Sequence, residues 1–185
     1  MNNQNETSTN NYPQPLRFYH PSTSGRGAAM QLEPRFSNDP EARYNCFFLE
    51  LAAQQTPPRQ ADGQRVHATF NWQEKLAVKL DFSDICELLT VLEGRAEKVG
   101  GSRGSLFHQS SVANTIITFQ RADQGGYMLG LSRKEGESGQ ASRVSIVLSE
   151  AEALGLRHVL QSSLFFLSFH QHLFRCWKEQ AKMTQ

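Results

Sequence analysis

Lys75 to Gly94 reads KLAVKLDFSDICELLTVLEG, and its opening residues alternate: Leu76, Val78 and Leu80 on one face, Lys75, Ala77 and Lys79 on the other. That is the pattern of a half-buried strand. Asp81 then caps a helix, with Asp84 at the third helical position, where a carboxylate meets the positive end of the helix dipole. Ile85, Leu88, Leu89 and Leu92 keep helical spacing, and Gly94 ends it. The same grammar returns in RVSIVLSEAEALGLRHVL, Arg143 to Leu160. At a constant offset of 68 residues, Val144, Ile146 and Leu148 fall on Leu76, Val78 and Leu80. Ser149 falls on Asp81, Glu152 on Asp84, and Arg143 on Lys75. Ser149 with Glu152 forms a second capping box. A chain that repeats strand, cap and helix in this way predicts two tandem units.

Outward from these segments, each unit gathers four strands. Ala29 to Leu32, Tyr44 to Ala53, Val66 to Phe70 and Lys75 to Leu80 precede the first helix. Leu106 to His108, Ala113 to Gln120, Tyr127 to Lys134 and Ala141 to Leu148 precede the second. The prolines and Asp-Gly pair of Thr56 to Gln64 mark a loop. The expectation is an α+β fold of tandem β-β-β-β-α repeats, with two antiparallel four-stranded sheets packed with two helices. Repeat one spans 24–94, a glycine-rich linker 95–104, and repeat two 105–180. Residues 1–23, rich in Asn, Gln, Ser, Thr and Pro, bury little apolar surface and are expected to be a disordered tail. Each helix should cross its own sheet, leaving the opposite sheet face polar and basic. The last helix, from Glu150 to about Lys178, is apolar nearly all round. One sheet cannot cover its length of roughly 40 Å, so a partner subunit is expected.

The chain has 185 residues, 38% of them hydrophobic, and a net charge of +1, which excludes a histone-like polycation. Thirteen of its nineteen cationic residues are Arg, the side chain that forks onto phosphates. Cys46, Cys86 and Cys176 are too far apart for a zinc or redox motif. The N-terminus has no apolar core and no basic residue before Arg17. The greasiest segment, Val159 to Phe174, is interrupted by Gln161, Ser162, Ser163, His170, Gln171 and His172. A cytoplasmic protein is expected, without membrane contact.

Catalytic motifs do not emerge. The segment Gly100-Gly101-Ser102-Arg103-Gly104-Ser105 has the glycines of a phosphate loop but no lysine, and it opens a strand. His170 and His172 would point roughly 200° apart on a helix, so they cannot share an ion. No HExxH occurs, and Cys46 sits in a buried strand. The expectation is no enzyme, no cofactor, no metal and no small-molecule substrate. What remains is aromatic residues interleaved with basic and polar ones on strands. Such a face stacks bases, while Arg and Lys take phosphates. Trp72, Phe107, Tyr127 and Tyr44 are the candidate stacking residues, with Phe70 and Phe119 equally suited to a core. Arg26, Lys75, Lys79, Arg121 and Arg143 are the candidate phosphate contacts.

The run Gly25-Arg26-Gly27-Ala28-Ala29-Met30-Gln31-Leu32 resembles the first strand of the Whirly family of single-stranded DNA-binding proteins, which carries a Lys-Gly-Lys-Ala-Ala-Leu-type motif. Trp72 with Lys75, and Phe107 with His108, are further points of likeness, and the resemblance implies that His108 too meets the bound strand. Leu164-Phe165-Phe166-Leu167-Ser168-Phe169-His170 also resembles the guide-RNA-binding proteins of trypanosome mitochondria. With the alanines aligned, the two lysines become Gly25 and Gly27, leaving Arg26 alone. The resemblance implies a homotetramer with helices at its centre. It further implies single strands held over the sheets and between subunits, largely without sequence preference, in repair, recombination or transcription. Without an organelle address, a bacterial or phage-type relative is expected, and it could associate with the nucleoid. The same fold used on RNA, or a protein-interaction scaffold that has lost nucleic-acid binding, are the alternatives.

Overall fold

The computed structural model describes residues 15–35, 45–61, 63–136 and 139–183, the last stretch with its side chains through Phe169. The first sheet is built from β1 (Leu16–His20), β2 (Ala28–Arg35) and β3 (Cys46–Thr56) in antiparallel order. A small ribbon, β4 (Arg59–Ala61) with β5 (Gln64–Val66), follows. The short β6 (Thr69–Phe70) and then β7 (Leu76–Leu80) pair with β3 along its other edge. After α1 (Phe82–Leu92) comes the second sheet. It comprises β8 (Leu106–Gln109), β9 (Ala113–Arg121), β10 (Tyr127–Glu135) and β11 (Ser142–Leu148), ordered β11-β10-β9-β8. The chain closes with α2 (Glu150–Met183).

The α+β architecture with two antiparallel sheets and two helices is as read from the sequence. Its first strand is not. Leu16–His20 lies inside the segment expected to be disordered, yet Leu16 and Phe18 pack against the core while Arg17 and Tyr19 face outward. Five alternating residues were hidden beside a polar run. The Ala28-Ala29 motif is therefore on the second strand. Val66 to Phe70 is correspondingly not a full strand: Val66 belongs to the ribbon and only Thr69–Phe70 reach β3.

The inner faces share one core. Met30, Leu49, Leu51 and Leu80 of the first sheet meet Ile117, Phe119, Leu129 and Leu148 of the second, with Ile85 and Val91 from α1 and Leu160 from α2. Removing so much apolar surface from water is the main source of stability. Each helix touches its own sheet, α1 at β7 and α2 at β11, and also reaches the other. α1 lies against α2 and against β9, while α2 runs past the inner side of β1–β3, where Leu16, Leu32 and Phe47 line a groove with Val159 and Phe166. The sequence alone does not show this reach, because amphipathic periodicity says which face is buried but not against what. The linker is also tied down. Val99 is fully buried and donates its N–H to the Phe119 carbonyl. Gly100 has φ +67°, where a Cβ would strike the Ser105 carbonyl.

Two matching contacts fasten the repeats together. Asp84 closes the capping box of α1 and also lies 3.0 Å from Nε2 of His108 on β8. Glu152 accepts the Ser149 N–H at the start of α2 and lies 2.8 Å from Nε2 of His20 on β1. Each carboxylate thus joins its helix cap to the first strand of the other repeat.

Candidate nucleic-acid interface

Strand alternation assigns each sheet an outer face. On the first sheet this face carries Arg17 and Tyr19 (β1), Gln31, Glu33 and Arg35 (β2), Phe48 and Glu50 (β3), and Lys75, Ala77 and Lys79 at β7. The turn between β6 and β7 folds back so that the Tyr19 ring lies 5.5 Å from Phe70 and 6.5 Å, edge-on, from Trp72. Tyr19 is about half exposed and Trp72 is half-buried, so the cluster is anchored yet accessible. At the far end of the same face, Arg35 lies over the Phe48 ring at 5.9 Å.

A polar row crosses the same face. Arg17 Nε donates to Gln31 Oε1 at 2.7 Å, and Gln31 Nε2 donates to Glu50 Oε2 at 3.4 Å. Lys75 Nζ reaches both Glu50 oxygens at 2.8 Å. Cys46 is buried at the lower edge of this face. Burial pushes its thiol up, against the partial pull of Lys79 and Arg35, so it stays protonated and inert.

On the second sheet the outer face is more apolar. It exposes Phe107, Ile116, Met128 and Val147, with Lys134 and Arg143 as its cations.

The residues proposed from sequence divide accordingly. Trp72, Lys75 and Lys79 are on the first outer face, and Phe107 and Arg143 on the second. Arg26 is exposed in the β1–β2 connection. Tyr44 lies outside the described residues. Three others lie on the inward side of the second sheet by register, where Tyr127 is buried, His108 is half-buried and Arg121 stays exposed at the edge. His108 points at α1, where it meets Asp84. Tyr127 is buried with its ring stacked on Phe119, centroids 5.6 Å apart and 16° between planes. Arg121 shares that side of the sheet: it lies over the Tyr127 ring and bonds to Glu150 at 2.9 Å. The cause is parity, since Arg121 pairs with Tyr127 and Phe119 with Leu129, a register that turns these positions to the core.

Tyr19, Arg17, Phe48, Gln31 and Glu50 were missed. The Leu-Arg-Phe-Tyr-His alternation carried a signal for the first two. Glu50 sits within an apolar run whose two-sided burial masked the outward parity.

Burial, the largest influence on Asp84, holds its carboxyl above the usual carboxylate range despite hydrogen bonds from the Asp81 backbone and His108. Burial also pushes Glu152 upward, but bonds from His20 and Ser149 together outweigh it and leave Glu152 below that range.

No protein-family model matches the chain, and no curated protein matches it in sequence. Solved structures do match. The chain is similar to WHY3 from Arabidopsis thaliana, a Whirly protein, with a TM-score of 0.65 at 17% identity, covering 92% of this chain and 97% of that one. It is similar to the plant transcriptional regulator PBF-2, with a TM-score of 0.62 at 15% identity over 89% and 87% of the two chains. It is also similar to a guide-RNA-binding protein complex bound to a gRNA, with a TM-score of 0.54 at 20% identity over 84% and 92%. At these identities the likeness establishes the fold: this chain has the Whirly fold, as the sequence resemblance implied.

Proposed function

We propose that the protein is a non-catalytic binder of single-stranded nucleic acid, DNA by preference, which takes the strand across its outer sheet faces. The observation that carries this reading is the Tyr19–Phe70–Trp72 cluster at one end of an exposed sheet face whose next rows carry Arg17 and then Lys79. Unstacked bases offer π-faces to such rings whatever their identity, so binding is largely independent of sequence. Phosphates on the far side of each base meet the flanking cations and add a salt-dependent term. A role wherever single strands are exposed, in repair, recombination or transcription, follows from that chemistry.

The reading includes a homotetramer built through α2. Phe165, Phe166 and Phe169 are each about half exposed on that helix, and an apolar groove of about 680 Å³ runs beside it. Such a surface is covered when subunits associate. RNA is the second reading, favoured by the likeness to a complex whose own ligand is a guide RNA.

Fluorescence anisotropy with labelled single-stranded DNA, single-stranded RNA and duplex DNA at two salt concentrations tests both. The expected result is binding to single strands that weakens with salt, with weaker duplex binding. Matched DNA and RNA oligomers then separate the two readings. No binding to any of the three would overturn both and leave the scaffold alternative.

A further inference from the structure

We infer that Glu50 is a built-in counter-charge that holds Lys75 away from the bound strand and so limits the affinity of the first sheet face. The inference rests on the functional reading above and deepens it. Glu50 is on a central strand, faces outward by register, and is nevertheless only 7% exposed. It is covered by its own partners. Lys75 Nζ grips both carboxylate oxygens at 2.8 Å, and Gln31, itself held by Arg17, donates to one of them.

A buried carboxylate is tolerated only while it is paired. A phosphate that drew Lys75 away would leave Glu50 shielded from water with only a long amide hydrogen bond. Lys75 is therefore spoken for, although its side chain is more than a third exposed at the lip of the face. The other outward carboxylate of this sheet, Glu33, also engages a cation, Arg35, at 3.2 Å. That pair differs in that the Arg35 side chain is more than half exposed, so water screens it and a phosphate can compete for it. Of the two pairs, only the Glu50 pair is enclosed enough to act as a latch.

Glu50→Gln tests this directly. The amide keeps the size of the side chain and can still accept from Lys75 and Gln31, but it removes the charge that holds the ammonium. Freeing one cation adds about one phosphate contact, which for a single strand steepens the slope of log affinity against log salt by about 0.7. The same term makes E50Q bind labelled single-stranded DNA about 8-fold more tightly at about 50 mM salt and less than about 2-fold at about 0.5 M. The double variant Glu50→Gln with Lys75→Met should lose both the gain and the extra slope, which shows that the effect passes through Lys75. Urea unfolding of each variant confirms that the sheet is intact.

If the unmodified protein binds and E50Q binds equally or more weakly, with an unchanged salt slope, Glu50 instead positions Lys75 and the inference is wrong. A gain that survives Lys75→Met also overturns it, since the cation concerned would be another. If neither the unmodified protein nor E50Q binds any single strand, the functional reading falls and takes the inference with it.

Discussion

The two sheets are alike where they face inward and unlike where they face outward. Inside, the repeats match position by position: capped helix, apolar strand face, and a carboxylate that clasps a histidine of the opposite repeat. Outside, the first sheet presents clustered rings, cations and the carboxylates Glu33 and Glu50. Among the described residues, the second presents Phe107, Ile116, Met128 and Val147 with two cations and no outward carboxylate on its four strands. The difference shows that a shared core constrains the inner face alone. Pleating sends successive side chains to opposite sides, so an outer face can change its chemistry without disturbing the packing beneath it.

The largest effect should appear where the halves are most alike. Leu92 and Leu160 are equivalent buried positions on the two helices, and each changed to alanine should cost about 2–5 kcal/mol of unfolding free energy. Urea titration measures both, and a loss below about 1 kcal/mol at either would break the equivalence. Where the halves differ, Trp72→Ala should weaken single-strand binding by about 1–3 kcal/mol, with a smaller loss for Phe107→Ala. The reverse order in anisotropy would make the second face the principal one.

The clasps diverge more finely. Asp84 is held above the ordinary carboxylate range, so its contribution to stability is full below that range and is lost as pH rises through its folded value. Glu152 is held below, so its contribution is present above that range and is lost as pH falls through its folded value. Relative to the unmodified protein, Asp84→Asn and Glu152→Gln should therefore show stability differences with opposite pH slopes in urea midpoints across the acid range. Slopes of the same sign would mean that the two environments are equivalent after all. The smallest effect is expected at Arg121, whose pair with Glu150 is largely solvated: Arg121→Gln should change stability by less than about 1 kcal/mol. A marked loss of binding in that variant would return Arg121 to the interface.

The repeat was legible because cap, alternation and helical spacing are local, and Lys75 to Gly94 carries all three in twenty residues. Parity was legible on β7, where Lys75 and Lys79 stand clear of an apolar face. It failed on β9 and β10. There Arg121 and Tyr127 sit beside a hairpin, and the direction they face depends on a register that only pairing sets. Tyr19 was lost for a different reason: the alternation of β1 is only five residues long and adjoins a polar run, and β2 and the core hold the strand in place. The reach of each helix to the other sheet is a long-range fact, and it left only a pair of histidines with no evident partner nearby in the chain.

The central claim is that bases stack on the first sheet face. Trp72 reports on this most directly, because an indole that stacks on a base loses fluorescence. With Trp177→Phe leaving Trp72 as the single tryptophan, titration with labelled single-stranded DNA allows emission and anisotropy to be followed together. The account predicts that Trp72 emission is quenched and saturates at the same concentration as the anisotropy. A full rise in anisotropy with Trp72 emission unchanged would place the strand elsewhere and contradict it.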